Sequence, residues 1–175
     1  FQFGNGPAWD SVLIELPYQL YRFYGKDEII KENAEAIEKY FGYIKTRLNA
    51  DGLIEIGLGD WCQTYTSAEG DYETPVEITD SLTIIDMVEK TAEMFGVIGK
   101  NAEDIKQFGN YLKNSFRQKY IKNGQLTVKT QTALSMCLQL NIFNAEEVQT
   151  AYETLLSEIK KQNDHFRVGV IGYKY

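Results

Sequence analysis

Phe23-Tyr24-Gly25-Lys26-Asp27 and Val97-Ile98-Gly99-Lys100-Asn101 decide the fold. Each stands between two stretches of helical period, and each follows one logic. A glycine ends one helix in the left-handed conformation, and an Asp or Asn caps the next. Links this short turn the chain straight back and make antiparallel helical hairpins. Asn144, with Glu147 three residues on, repeats the start signal before a last helix.

Working outward, six helices are expected, roughly at 8–24, 27–48, 79–98, 102–120, 129–140 and 145–162. Short strands are conceivable only near Gly52–Ile56 and Gln125–Val128. The second helix carries Ile30, Ala34, Ile37, Phe41, Ile44 and Leu48 on one face, with Lys31, Glu35, Glu38 and Lys45 opposite. The fourth repeats that pattern with Ile105, Phe108, Leu112 and Phe116, and the sixth with Val148, Tyr152, Leu155 and Ile159. The odd helices are poorer in charge. From Trp9 to Tyr24 only Asp10, Glu15 and Arg22 are charged, and Thr130 to Leu140 has no charge. The third is intermediate, its polar side formed by Asp86, Glu89, Lys90 and Glu93. A helix without a wet face is buried on all sides. The expectation is therefore all-α: three hairpins in two concentric layers, odd helices inside and even helices outside. Pro17 falls within the first helix and is expected to curve it.

The odd-to-even links are short, and the even-to-odd links are longer. The longest, from Asn49 to Ile78, has no sustained helical period, and long connections of this kind are usually functional. Alternating helix direction puts all the longer links on one rim. Trp9-Asp10, Gly59-Asp60-Trp61, Thr79-Asp80 and Thr130-Gln131 share it, and the tail from His165 to Gly172 starts there. Free N–H donors at the starts of the inner helices point the same way.

Trp9 and Trp61 are the only tryptophans, and each adjoins an Asp. An indole can stack on the apolar face of a sugar while a carboxylate accepts from its hydroxyls. A Trp within a helix is ordinarily a core residue, and an Asp at a helix start ordinarily complements the dipole. Placement of both pairs on one rim favours a carbohydrate site, with Trp9, Asp10, Asp60 and Trp61 as candidate binding residues. Glu69, Asp71, Glu73 and Glu77 form an acidic run beside Pro75 that reads as a solvated loop face. The twelve tyrosines read mostly as core. His165 reads as a structural or capping residue.

A net charge of -7 and a pI near 4.8 argue against nucleic acid, which needs a basic face. The apolar runs are too short to span a bilayer, so no membrane partner is expected. Cys62 and Cys137 lack metal-ligand spacing, and with one histidine no metal site is expected. Cys137 reads as a small core residue. There is no Gly-x-Ser-x-Gly nucleophile motif and no phosphate loop, and no cofactor is expected.

Several segments together resemble a known family. Gly6-Pro7-Ala8-Trp9-Asp10-Ser11, followed by Glu15-Leu16-Pro17-Tyr18-Gln19-Leu20-Tyr21-Arg22-Phe23-Tyr24-Gly25, resembles an inner helix of the bacterial α-L-rhamnosidases of glycoside hydrolase family 78. Asp51-Gly52-Leu53-Ile54 and Gly57-Leu58-Gly59-Asp60-Trp61 resemble the next loop of that family. Thr130-Gln131-Thr132-Ala133-Leu134 and the stretch from His165 to Tyr173 resemble its following hairpins, in the same order. The resemblance implies an (α/α)₆ toroid and removal of terminal α-L-rhamnose with inversion. It also implies that Trp9 and Trp61 wall the rhamnose pocket, with Asp10 and Asp60 flanking them. Two departures stand out. The family usually has a small residue between this first Trp and its Asp, whereas Trp9 and Asp10 are adjacent. The family's Asp/Arg/Glu-rich acid segment belongs upstream of Phe1, and its Trp-Glu base segment downstream of Tyr175.

The expectation is a piece of a longer protein. Residues 1–175 would be a partial catalytic domain, about half the toroid, with no catalytic residue of its own and no hydrolytic activity alone. Its partners would be a rhamnoside and the remaining segments of the same domain, with self-association through exposed apolar flanks as a further expectation. Compartment is not legible. Other readings are a different (α/α)₆ sugar-active enzyme, a helical-repeat scaffold and a non-catalytic sugar-binding module. The irregular hairpin spacing argues against the scaffold.

Overall fold

The structure is a computed structural model that describes residues 6–63 and 72–175. Its helices are α1 (Pro7–Asp10), α2 (Val12–Tyr24), α3 (Glu28–Lys45), α4 (Val76–Val97), α5 (Glu103–Tyr120), α6 (Gln131–Gln139) and α7 (Ala145–Lys161). Helices α1 and α2 are the expected first helix, interrupted at Ser11 rather than at Pro17, which sits buried within α2. The pairs α2/α3, α4/α5 and α6/α7 are the three hairpins. Gly25 and Gly99 close α2 and α4 at φ 69° and 68°, in the left-handed region that favours glycine. The caps vary in mechanism. Asn101 Oδ1 accepts from Glu103 N at 2.8 Å, and Glu147 reaches back to Asn144 N at 2.7 Å. Asp27 makes no side-chain cap and instead pairs with Lys31 at 2.7 Å.

The inner layer runs α1/α2, α4, α6, with α4 in the middle and in contact with both neighbours. The amphipathic α3, α5 and α7 stand behind it, and Phe41 of α3 meets Phe108 of α5 edge-on at 6.5 Å. Middle position explains why α4 is the most buried helix. Ile78, Leu82, Ile84, Ile85 and Met87 are all sealed from solvent. Full burial of each such side chain contributes about 1.5–3 kcal/mol. The expected polar side of α4 survives at Glu89 and Glu93, which are exposed, while Asp86 is drawn into the interior.

The first helix departs from the expectation of burial on all sides. Val12 is 62% exposed, Leu16 53% and Phe23 80%. Helix α2 is the end of the inner row, so its apolar circumference meets α3 and α4 and leaves a third flank uncovered. The tyrosines also depart from the core reading: Tyr24, Tyr43, Tyr111, Tyr152 and Tyr173 are exposed. Val148 and Tyr152 on α7 are exposed too, and that helix holds its partner through Ala151 and the half-buried Leu155.

Both strand positions carry some pairing. Gln125–Leu126 (β2) pairs antiparallel with Ile121–Lys122 (β1), closed by Asn123-Gly124, both with positive φ as a tight hairpin turn requires. Near Gly52 the only such contact among the described residues is a bridge between Leu48 and Ile54. Among the described residues, no helix is long and apolar enough to cross a membrane.

Candidate functional site

The loop from Asn49 to Trp61 follows the first turns of α4, and polar side chains of α4 hold it there. Helix α4 begins right after Pro75, three residues earlier than its period suggests, so Thr79 and Asp80 lie inside it rather than at its cap. Asn49 Oδ1 accepts from the amides of Asp51 and Leu53, each at 3.0 Å. Ser81 Oγ accepts from Ile54 N at 3.0 Å. Asp80 Oδ2 accepts from Ile56 N at 2.8 Å and Gly57 N at 2.7 Å. At Leu53 and Ile54, which are sealed, these bonds satisfy amides that would otherwise be buried without a partner.

Glu77 corrects the reading of the acidic run as a solvated face. It is buried and accepts from Asn49, Lys119 and Tyr120. Glu73 pairs with Arg167. Glu69 and Asp71 lie outside the described residues.

Beyond Gly57 the loop reaches Asp60 and Trp61. The Trp61 and Trp9 ring centroids are 6.0 Å apart with the planes tilted by 47°. Two side chains distant in sequence thus meet at one mouth. They border a cleft of about 210 Å³ that Thr83, Val170, Ile171, Tyr175 and the one charged lining residue, Lys174, share with Ala8 and Ser11. Trp9 is 46% exposed, so its ring is available to a ligand. Thr83 comes from α4, and Val170 and Ile171 come from the tail, as does Tyr175.

Asp10 is half-buried, and its Oδ2 accepts from the Tyr40 hydroxyl at 3.3 Å. Burial first, and then the Asp10 carboxylate, push the Tyr40 hydroxyl well above the usual phenol range. Asp60 is 0% exposed. Its oxygens accept from Thr132 Oγ1 and from the amides of Gly169 and Gly172, both at 2.8 Å. Asp80 is wholly buried, and its Oδ1 has no partner. Burial raises its carboxyl to about 6; the Ile56 and Gly57 amides oppose that, and the charges of Glu55 and Asp10 add to it.

The first turn of α6 holds the tail on the same rim. Thr130 caps the helix by accepting from Ala133 N at 3.2 Å, and its hydroxyl meets that of Thr74 at 2.6 Å. Gln131 donates to His165 O at 3.1 Å and accepts from Arg167 N at 3.0 Å. His165 itself turns its ring to neighbouring carbonyls, Gln162 O at 3.1 Å and Asn163 O at 2.8 Å. A second cleft of about 370 Å³ lies nearby, lined by Glu73, Lys129, Thr130, Gln131, Glu158 and Arg167. It is polar and has no aromatic wall.

Sequence reasoning missed Thr83, Tyr175 and the tail pair Val170 and Ile171 as lining residues. The glycines flanking that pair were the available signal. Cys137 is buried, and burial pushes its thiol up.

Residues 2–175 match the family described as the bacterial alpha-L-rhamnosidase 6 hairpin glycosidase domain. An α-L-rhamnosidase of Streptomyces avermitilis is 23% identical over 173 residues, covering 97% of this chain and 16% of that protein. One from Formosa agariphila is 23% identical over 171 residues, covering 94% of this chain and 18% of the relative. The chain therefore spans less than a fifth of these two curated relatives. Among solved structures, an α-L-rhamnosidase from Dictyoglumus thermophilum superposes with a TM-score of 0.88 at 25% identity, over 98% of this chain and 20% of that one. The Streptomyces avermitilis enzyme complexed with L-rhamnose superposes with a TM-score of 0.82 at 20% identity, over 94% of this chain and 16% of that one.

Proposed function

Because the chain belongs to the bacterial α-L-rhamnosidase six-hairpin glycosidase domain family, we propose that it forms part of a catalytic domain that removes terminal α-L-rhamnose with inversion, and that the Trp9–Trp61 cleft contributes to its sugar pocket. The observation that carries this reading is the meeting of the chain's two indoles at one mouth, 6.0 Å apart. A cleft of about 210 Å³ is smaller than the roughly 300–1,000 Å³ of sites for drug-sized ligands. It suits one terminal sugar ring. A methyl-bearing deoxysugar also offers an apolar edge to Trp9, Trp61, Val170 and Ile171. Asp10, half-buried beside Trp9, stands outside the cleft lining and accepts from the Tyr40 hydroxyl, so its part is to brace the helix start that carries Trp9. Asp60 is sealed with both oxygens taken by protein donors, so it acts on the cleft only through the loop that carries Trp61.

Inversion needs a carboxylic acid that protonates the leaving oxygen and a carboxylate that activates water on the opposite face. Among the described residues lining the cleft there is no Asp or Glu. That supports a division of labour in which this chain shapes the pocket and other segments of the same domain supply the acid and the base. The 175-residue domain is then partial, and it is inactive by itself.

Fluorescence tests the pocket, because Trp9 and Trp61 are the only tryptophans and both are in the cleft. L-Rhamnose should shift the emission saturably, D-glucose should not, and Trp61→Ala should abolish the response. An aryl α-L-rhamnoside should stay intact in the presence of the purified chain. Absence of any emission change would remove the pocket reading, and release of rhamnose would remove the division of labour.

A further inference from the structure

We propose that Asp60 is a positioning residue whose buried carboxylate locks the Trp61 wall of the cleft to its Val170–Ile171 floor and thereby sets the width of the cleft. The inference rests on the reading of that cleft as a sugar pocket only for its functional consequence; the joint itself stands on geometry. Three separate elements meet at this one side chain. The loop supplies Asp60, α6 supplies the Thr132 hydroxyl, and the tail supplies the amides of Gly169 and Gly172, both 2.8 Å from a carboxylate oxygen. Val170 N donates to Trp61 O at 2.9 Å and closes the joint on its other side.

The two amides that Asp60 holds bracket the two residues that floor the cleft. Val170 and Ile171 lie between Gly169 and Gly172, so fixing the outer pair fixes the inner pair. Trp61 follows Asp60 directly, so whatever moves the carboxylate moves the indole. The approach is backbone on backbone: a Cβ at Gly169 would stand 2.2 Å from Asp60 O and 2.5 Å from Trp61 O. No side chain fits there, so only a glycine at 169 lets the tail lie this close against the loop.

The chemistry explains why the residue is an aspartate. Asp60 is 0% exposed, and the three groups that bond it are neutral donors. A buried carboxylate is tolerated when donors satisfy it, and charge-assisted bonds of this kind are about twice as strong as neutral ones. It is also acceptor-only on both oxygens. Asparagine at the same place would aim an NH₂ at an N–H or O–H donor and lose at least one arm of the joint.

The test uses the purified chain and three variants: Asp60→Asn, Thr132→Val and Thr132→Ser. Far-UV circular dichroism reads the helices. The exciton couplet of two indoles 6.0 Å apart, at the long-wavelength edge of the far-UV, and acrylamide quenching read the cleft. Asp60→Asn and Thr132→Val should keep helical signal, lose the couplet and quench more readily. Thr132→Ser, which retains the hydroxyl, should resemble the parent. L-Rhamnose affinity should be lost in the first two and kept in Thr132→Ser. If Asp60→Asn does not fold, Thr132→Val decides alone. An unchanged couplet and unchanged quenching in every folded variant of the first two would overturn the joint. A parent that ignores L-rhamnose but whose variants lose the couplet would keep the joint and remove only the sugar reading.

Discussion

Replacing Asp80 by Asn should make the protein more stable at neutral pH. Asp80 lies wholly buried in α4, and Oδ2 alone takes both loop amides, Ile56 N and Gly57 N. Oδ1 has no partner. Asparagine keeps an oxygen for the two amides and puts its NH₂ where Oδ1 stands, so it imitates the protonated acid. The carboxyl is raised by burial from an ordinary 3.8 to about 6. At about 1.4 kcal/mol per pH unit, ionising it in the folded state at pH 7 costs about 3 kcal/mol. The sign follows from the direction of the shift. A carboxyl raised on folding favours the folded state below its unfolded value, near 4, and that advantage disappears as pH rises through about 6. The stability gap between Asp80→Asn and the parent should therefore be about 3 kcal/mol at pH 7 and about 1 kcal/mol at pH 4.5. For a chain of this size the gap at pH 7 raises Tm by roughly 6–12 °C. Urea unfolding followed by circular dichroism at both pH values measures it. A variant no more stable than the parent at pH 7, or a gap that does not shrink on acidification, would refute the assignment of the cost to the buried charge.

Two other substitutions probe the core and the second acidic cluster. Leu82→Ala in the sealed middle of α4 should cost about 2–5 kcal/mol in urea unfolding. Asp86→Ala should cost about 1–3 kcal/mol, because it removes the shared acceptor of Lys90, Lys174 and the Tyr175 hydroxyl while Glu15 still pairs with both lysines and Lys174 is half exposed. Burial raises the carboxyls of Glu15 and Asp86, but hydrogen bonds from Lys174 and Lys90 outweigh it and hold both below the usual range. Their contribution is present above about pH 4 and is lost as pH falls through the lowered values. Stability of the parent should consequently peak in mild acid, with Asp80 limiting it above and this pair limiting it below. Asp86→Ala should weaken the acid limb selectively.

Most of the fold was legible because helix period and helix termini are local properties. Gly25 and Gly99 ended their helices as read, and each hairpin follows from a link too short for any other return. The two indoles came together because alternating direction puts all the long links on one rim, which is a topological consequence and needs no side-chain detail. What was not legible depends on neighbours. The period of α2 shows that its surface is apolar all round, but whether an element covers each side is decided elsewhere, so Val12, Leu16 and Phe23 stand exposed. The start of α4 was misplaced because Thr79-Asp80 resembles a cap, whereas Pro75 permits a helix from the very next residue. Glu77 and Asp80 looked solvated or capping because their partners lie on a loop without period, and on α5 in the case of Glu77.

Asp60 and Asp80 show how the same residue type can serve one loop at opposite energetic cost. Both are buried, and both hold backbone amides, one pair in the loop itself and one pair in the tail. Both oxygens of Asp60 accept hydrogen bonds, so its charge is matched by donors. Asp80 has one oxygen idle, so its charge is not. A charged acceptor nevertheless strengthens the two loop bonds it does make, and those bonds fix the segment that leads through Gly59 to Trp61. Local conflicts with stability are expected where a site must be held in place. On this argument Asp80→Asn gains global stability while loosening the loop. Hydrogen exchange at the Ile56 and Gly57 amides should become faster in the variant even as its unfolding midpoint rises. Slower exchange at both amides, tracking the global gain, would show that the charge does nothing for the loop.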